Sequence, residues 1–129
     1  MIAAASAAFA SVGAARAEPL SSAQLQAVAP GGEFRGFVAT NRGFENHIWR
    51  FAPGGSVTGV ASVSRAIANI GASQESGDTG TWRIDGNRLC VEWQGFNRQH
   101  SGCYAVDGTA ATSQVRLTGP ATWQGTLSR

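Results

Sequence analysis

The sequence predicts an all-β fold: a small antiparallel barrel of eight strands, or alternatively a two-sheet sandwich, with a short helix at its start. Three observations predict it. Turn signals (Asn41-Arg42-Gly43, Pro53-Gly54-Gly55, Asp85-Gly86-Asn87) recur at short intervals along the chain. The runs between them are rich in Val, Phe, Trp and Thr. Within those runs the apolar residues alternate, and the alternation stays in phase from one hairpin to the next. Meandering strands with one buried face close most simply into a small barrel.

The first 17 residues are mostly Ala, Ser and other small or apolar types and end in Ala15-Arg16-Ala17. Small residues at these positions suit a signal peptidase, so cleavage before Glu18 is expected, with export to the periplasm or the exterior of a bacterium. The run is too short for a spanning helix of about 20 residues, and no membrane span is expected. Residues 18–129 then form a single barrel domain. Its opening segment, Ser21 to Val28, reads as two helical turns with a serine cap, stopped by Pro30-Gly31-Gly32. Strands are expected at about 33–39, 44–52, 56–63, 79–85, 88–94, 102–107, 112–118 and 121–128; Ser64–Ile70 carries a faint helical period.

Hairpin parity assigns the faces. Across Asp85-Gly86-Asn87, an even loop puts Trp82 and Ile84 on the face of Leu89, Val91 and Trp93. A three-residue loop at Pro53-Gly54-Gly55 pairs Phe51 with Val57, Trp49 with Gly59 and His47 with Ala61. Phe34, Gly36 and Val38 continue this inner face, as do Val115, Leu117, Trp123 and Leu127. Phe37, Phe44 and Ile48 fall outside. They are either covered by the helix or by residues 64–78, which is the preferred reading, or they form an interaction patch.

The chain holds two cysteines, and in an exported domain two cysteines pair. Placing Cys90 opposite Cys103 aligns Leu89 with Tyr104 and keeps the apolar face intact. The bridge is expected on the outer face, clamping two strands across a loop at 94–99. Its reduction should loosen residues 94–101 before the tryptophan-rich face.

Composition excludes several functions. All ten basic residues are arginines, scattered singly, against eight acidic ones, giving a net charge of +2. Phosphate backbones need clustered cations, so no nucleic-acid partner is expected. No nucleophile elbow, phosphate loop or lone cysteine is present, and no catalytic residue or cofactor is assigned. Two histidines, His47 inside and His100 in a solvated loop, are not brought together with carboxylates by any spacing, so no metal site is expected. Glu75 and Asp78 lie in a Gly/Ser-rich stretch and read as solubilising loop residues.

Gly80-Thr81-Trp82 resembles the Gly-x-Trp of lipocalin-like barrels, although here it opens about the fourth strand. The short helix, Trp49 to Gly59, Thr79 to Ile84, Leu89 to Trp93 and Cys103-Tyr104 together resemble small exported β-domain proteins of proteobacteria. That resemblance implies a barrel and an envelope location and implies no activity. Four tryptophans either fill the interior or line a cavity; the latter makes His47, Trp49, Trp82, Trp93, Tyr104 and Trp123 a ligand-binding set. The leading expectation is a monomeric, non-catalytic binding domain for a small apolar ligand, taken in the interior or at a mouth. The second is a protein-interaction module, such as an inhibitor of an exogenous hydrolase, using the loops 64–78 and 94–101 or the outer patch at Phe37, Phe44 and Ile48. The third is a hydrolase using His47.

Overall fold

The computed structural model describes residues 18–41, 43–64, 74–108 and 113–129. Its elements in chain order are β1 (Glu18–Pro19), α1 (Ser22–Val28), β2 (Glu33–Thr40), β3 (Gly43–Phe51), β4 (Ser56–Ser64), β5 (Gln74–Asp85), β6 (Arg88–Trp93), a 3-10 helix (Phe96–His100), β7 (Gly102–Gly108), β8 (Gln114–Thr118) and β9 (Thr122–Ser128). Strands β2 to β6 form an antiparallel meander; β2 also pairs β9, β9 pairs β8, and β8 and β6 both pair β7. The sheet therefore closes as an eight-stranded barrel, and the two-residue β1 adds to β7 beyond the end of β6. The leader at 1–17 and most of the faint helical period after Ser64 lie outside the described residues.

The expected registers hold. Phe51 pairs Val57, Trp49 pairs Gly59 and His47 pairs Ala61. Trp82 faces Val91, and Cys90 faces Cys103 with Leu89 beside Tyr104. The disulfide is formed. Cys90 lies on the outer face by register but is nevertheless buried.

Two expectations are corrected. β5 begins at Gln74, five residues before its expected start, because Gln74 to Asp78 pair with Gly59 to Val63 despite their polar composition. Backbone pairing across β4 outweighs weak intrinsic strand preference there. The 94–99 connection is also not a plain loop. It contains the 3-10 helix, tied down by the Asp78 carboxylate, which accepts from the backbone N–H of Gly95 and Asn97. Asp78 is thus a capping residue on a strand rather than a solubilising one in a loop.

Helix α1 closes one end. Ser21 and Gln24 form a reciprocal capping box, and Leu25 and Ala29 are fully buried against the core. Gly31 donates to the Phe51 carbonyl and Phe51 to that of Gly32, so the helix exit is bonded into the end of β3. Gly31 takes φ +75°, a conformation glycine adopts freely. The 3-10 helix lies at the other end, next to the β2–β3 and β8–β9 turns, and the candidate site sits beneath it.

An eight-stranded barrel is about wide enough for side chains to fill it. Here Trp49 occupies the middle, with ring centroids 5.1 Å from Phe34, 4.9 Å from Trp123, 5.5 Å from Trp93 and 6.2 Å from Tyr104. Small residues make the room: a methyl group on Gly59 would meet the Trp93 ring, and one on Gly36 would meet the Phe34 ring.

Candidate functional site

Inward parity on β3 runs through Glu45, His47 and Trp49, which face Val38, Gly36 and Phe34 of β2, and on to Phe51, which faces Val57 of β4. The strand thus carries a carboxylate and an imidazole into the mouth closed by the 3-10 helix. That helix brings His100 down onto them. Nε2 of His47 lies 3.0 Å from Glu45 Oε1, and Nε2 of His100 lies 3.4 Å from the same oxygen. Both histidines are buried, while the Glu45 side chain keeps 16% exposure at the mouth. Glu45, His47 and His100 present donor atoms that all lie within 4.8 Å of one another.

Two sequence expectations change here. His100 is not a solvated loop residue, because the 3-10 helix buries it. The histidines and a carboxylate are brought together after all, by barrel closure and the helix rather than by spacing along the chain. Glu45 was missed, though the alternation that places His47 inside places Glu45 inside as well.

The surroundings set the protonation states. Trp49 Nε1–H donates to His47 Nδ1 at 3.2 Å, so His47 carries its proton on Nε2 and donates it to Glu45. Burial lowers the His47 pKa; the hydrogen bond with Glu45 opposes this only in part, and His100 lowers it further. Burial raises the Glu45 pKa, but hydrogen bonds from His47 and His100 outweigh that and hold it below the usual value. Both shifts favour a Glu45 carboxylate accepting from a neutral His47 ring. Trp123 stacks edge-on over both, 4.6 Å from His47 and 4.9 Å from His100. Burial raises the Tyr104 hydroxyl above the usual phenol value, and that hydroxyl donates to the His100 carbonyl.

Of the proposed ligand-binding set, His47, Trp49, Trp93, Tyr104 and Trp123 come together in the interior and fill it with their own rings. Trp82 stands apart: half-buried near the α1 end, it packs on Phe51 and donates to the Ala52 carbonyl. The indole N–H groups of Trp93 and Trp123 and the side-chain amide of Asn97 are buried without a hydrogen-bond partner.

The outer face offers a different surface. Phe37 and Phe44 are 42% and 55% exposed and pack edge to face at 5.9 Å, with Val60 exposed nearby. The helix lies at the opposite end of the strands and leaves Phe37 and Phe44 open, while Ile48 is half-buried; residues 65–73 of the other expected cover lie outside the described residues. Phe37, Ile48 and Val60, with Arg35, Asn46 and Ser62, line a cleft of about 380 Å³ that also reaches His47 and the Gly36–Gly125 pair. The two strands approach closely there: a methyl group on Gly125 would run into the Arg35 carbonyl oxygen. A second cleft, of about 420 Å³ near the α1 end, is lined by Glu33, Arg50 and Arg129 among others. Its charges are largely spent locally, as Glu33 bonds both Arg35 and Arg50.

No helix among the described residues is long and apolar enough to cross a membrane. No family model, curated protein or solved structure matches the chain.

Proposed function

We propose that the chain is a non-catalytic binding domain of the bacterial envelope that takes a small apolar ligand on its outer wall. The exported location rests on the leader-like first 17 residues and on the disulfide, a bond that persists in oxidising compartments. The single observation that carries the binding reading is the cleft of about 380 Å³ between Phe37, Ile48 and Val60. Its size is within the range of small-molecule pockets, roughly 300–1,000 Å³. Three of the four exposed large apolar residues among those described belong to this one patch. Packed rings fill the barrel centre, which favours the wall over the interior. The rim groups Arg35, Asn46 and Ser62 would orient a polar end of the ligand.

Native mass spectrometry of protein purified without refolding should show a retained small molecule. Val60→Asp and Phe37→Ser should abolish retention while moving the thermal midpoint by little, because both side chains lie on the outer face and outside the packed core. Retention that survives both substitutions would remove the cleft as the site. A macromolecule captured through Phe37 and Phe44, with no small molecule retained, would favour the interaction-module reading, which the edge-to-face pair itself supports.

A further inference from the structure

We propose that Glu45, His47 and His100 form a binding site for one divalent transition-metal ion of the zinc type, held by Oε1 of the carboxylate and Nε2 of both imidazoles. This site lies inside the barrel mouth and does not depend on the outer cleft.

Geometry is the first reason. Zinc bonds to nitrogen and oxygen of about 2.0–2.1 Å set tetrahedral donors about 3.4 Å apart. The carboxylate oxygen already stands 3.0 and 3.4 Å from the two ring nitrogens, and all three donors fit within 4.8 Å. Small side-chain movements would seat an ion. Three protein donors leave one position open, and the partly exposed Glu45 marks the side from which an ion would enter.

Chemistry is the second. Two imidazoles and one carboxylate suit Zn²⁺, Co²⁺, Ni²⁺ or Cu²⁺, whereas Ca²⁺ and Mg²⁺ require oxygen donors that this cluster lacks. The mouth is rigidly supported. His47 is on a central strand of the meander, and His100 is held through its own carbonyl by Tyr104 and through its helix by Asp78.

The proton balance gives the site a signature. Metal-free His47 is protonated on Nε2, since Nδ1 accepts from Trp49. An ion on Nε2 takes the lone pair there, so the ring proton transfers to Nδ1 and the ring stays neutral. Nδ1–H then faces the Trp49 N–H, two donors opposed, and the Trp49–His47 hydrogen bond breaks. A cluster that only stabilises the fold would show no such event.

The test uses untagged, chelator-treated full-length chain, titrated with Zn²⁺ by calorimetry and with Co²⁺ by visible absorption. One ion per chain is expected, with a raised thermal midpoint and a shift of the Trp49 indole N–H resonance. Glu45→Gln and His100→Gln should each weaken binding by at least about tenfold. Glu45→Gln keeps an acceptor oxygen for His47, and circular dichroism of both variants checks that they fold. Trp49→Phe removes the opposing donor and should tighten binding. Absence of stoichiometric uptake would overturn the proposal. So would uptake unchanged in both folded variants, or uptake that leaves the Trp49 resonance in place.

Discussion

Two neighbours decide where His47 keeps its proton. Trp49 offers only a donor and Glu45, as a carboxylate, only an acceptor, so the neutral Nε2–H form satisfies both and the charged ring would oppose Trp49. Burial acts in the same direction, and the folded-state pKa lies below the ordinary value of 6.5. The unfolded chain therefore binds this proton more readily than the folded one. Stability from His47 is complete above pH 6.5 and is lost as the pH falls from there through the folded-state pKa. Glu45, held below 4.5, adds a second loss in the same direction at lower pH. Chemical denaturation of chelator-treated protein between pH 8 and 4 should show a plateau above neutrality and a decline setting in near pH 6.5. His47→Gln should lack that first decline. A rise in stability on acidification from pH 7 to 6 would mean that the Glu45 pairing outweighs burial. At this scale the sequence was half legible. Parity places His47 inside; the same alternation would have placed Glu45, which the sequence reading missed; His100 could not be placed, because its burial depends on a 3-10 helix whose tie comes from Asp78, 22 positions away in the chain.

The elements most legible in the sequence are those that local chemistry terminates. Pro53-Gly54-Gly55 and Asp85-Gly86-Asn87 end strands where expected, with Gly55 at φ +101° and Gly86 at φ +62°. Ser21 starts α1 as a capping residue should. The early part of β5 was not legible, because Gln74 to Asp78 have no apolar alternation and are strand only through pairing with β4. Helix α1 shows the same contrast within one element. It spans seven residues, too few to be stable alone, so its docking through Leu25 and Ala29 rather than its propensity holds it in place. Leu25→Ala should therefore cost about 2–5 kcal/mol, as for other fully buried leucines. Ser21→Ala should cost only about 1 kcal/mol, the usual worth of an N-cap. Urea denaturation of the two variants measures both, and equal costs would show that the cap and not the docked face holds the helix.

Closure of the whole barrel depends on β7, the strand that pairs β6 through residues 102–105 and β8 through residues 105–108. The β6–β7 and β7–β8 ladders are the shortest joins of the closed barrel, four residue pairs each, and the Cys90–Cys103 bridge lies within the first. Removing a cross-link of this loop size costs about 3 kcal/mol on the chain-entropy view. For a domain of this length that is a fall in thermal midpoint of roughly 10–20 °C. The loop it closes has other ties. Asp78 accepts from Gly95 and Asn97, the Ser101 hydroxyl accepts from the Trp93 N–H, and Tyr104 donates to the His100 carbonyl. These bonds keep the 3-10 helix seated at room temperature without the bridge, so the loss should be graded. In a Cys90→Ala, Cys103→Ala variant at 25 °C, near-ultraviolet circular dichroism from the packed tryptophans should be unchanged. Amide exchange should quicken in residues 94–101 and remain slow in β3 and β9, whose Trp49 and Trp123 are fully buried. If the aromatic signal collapses together with loop protection, the bridge is holding the core itself rather than the mouth over Glu45, His47 and His100.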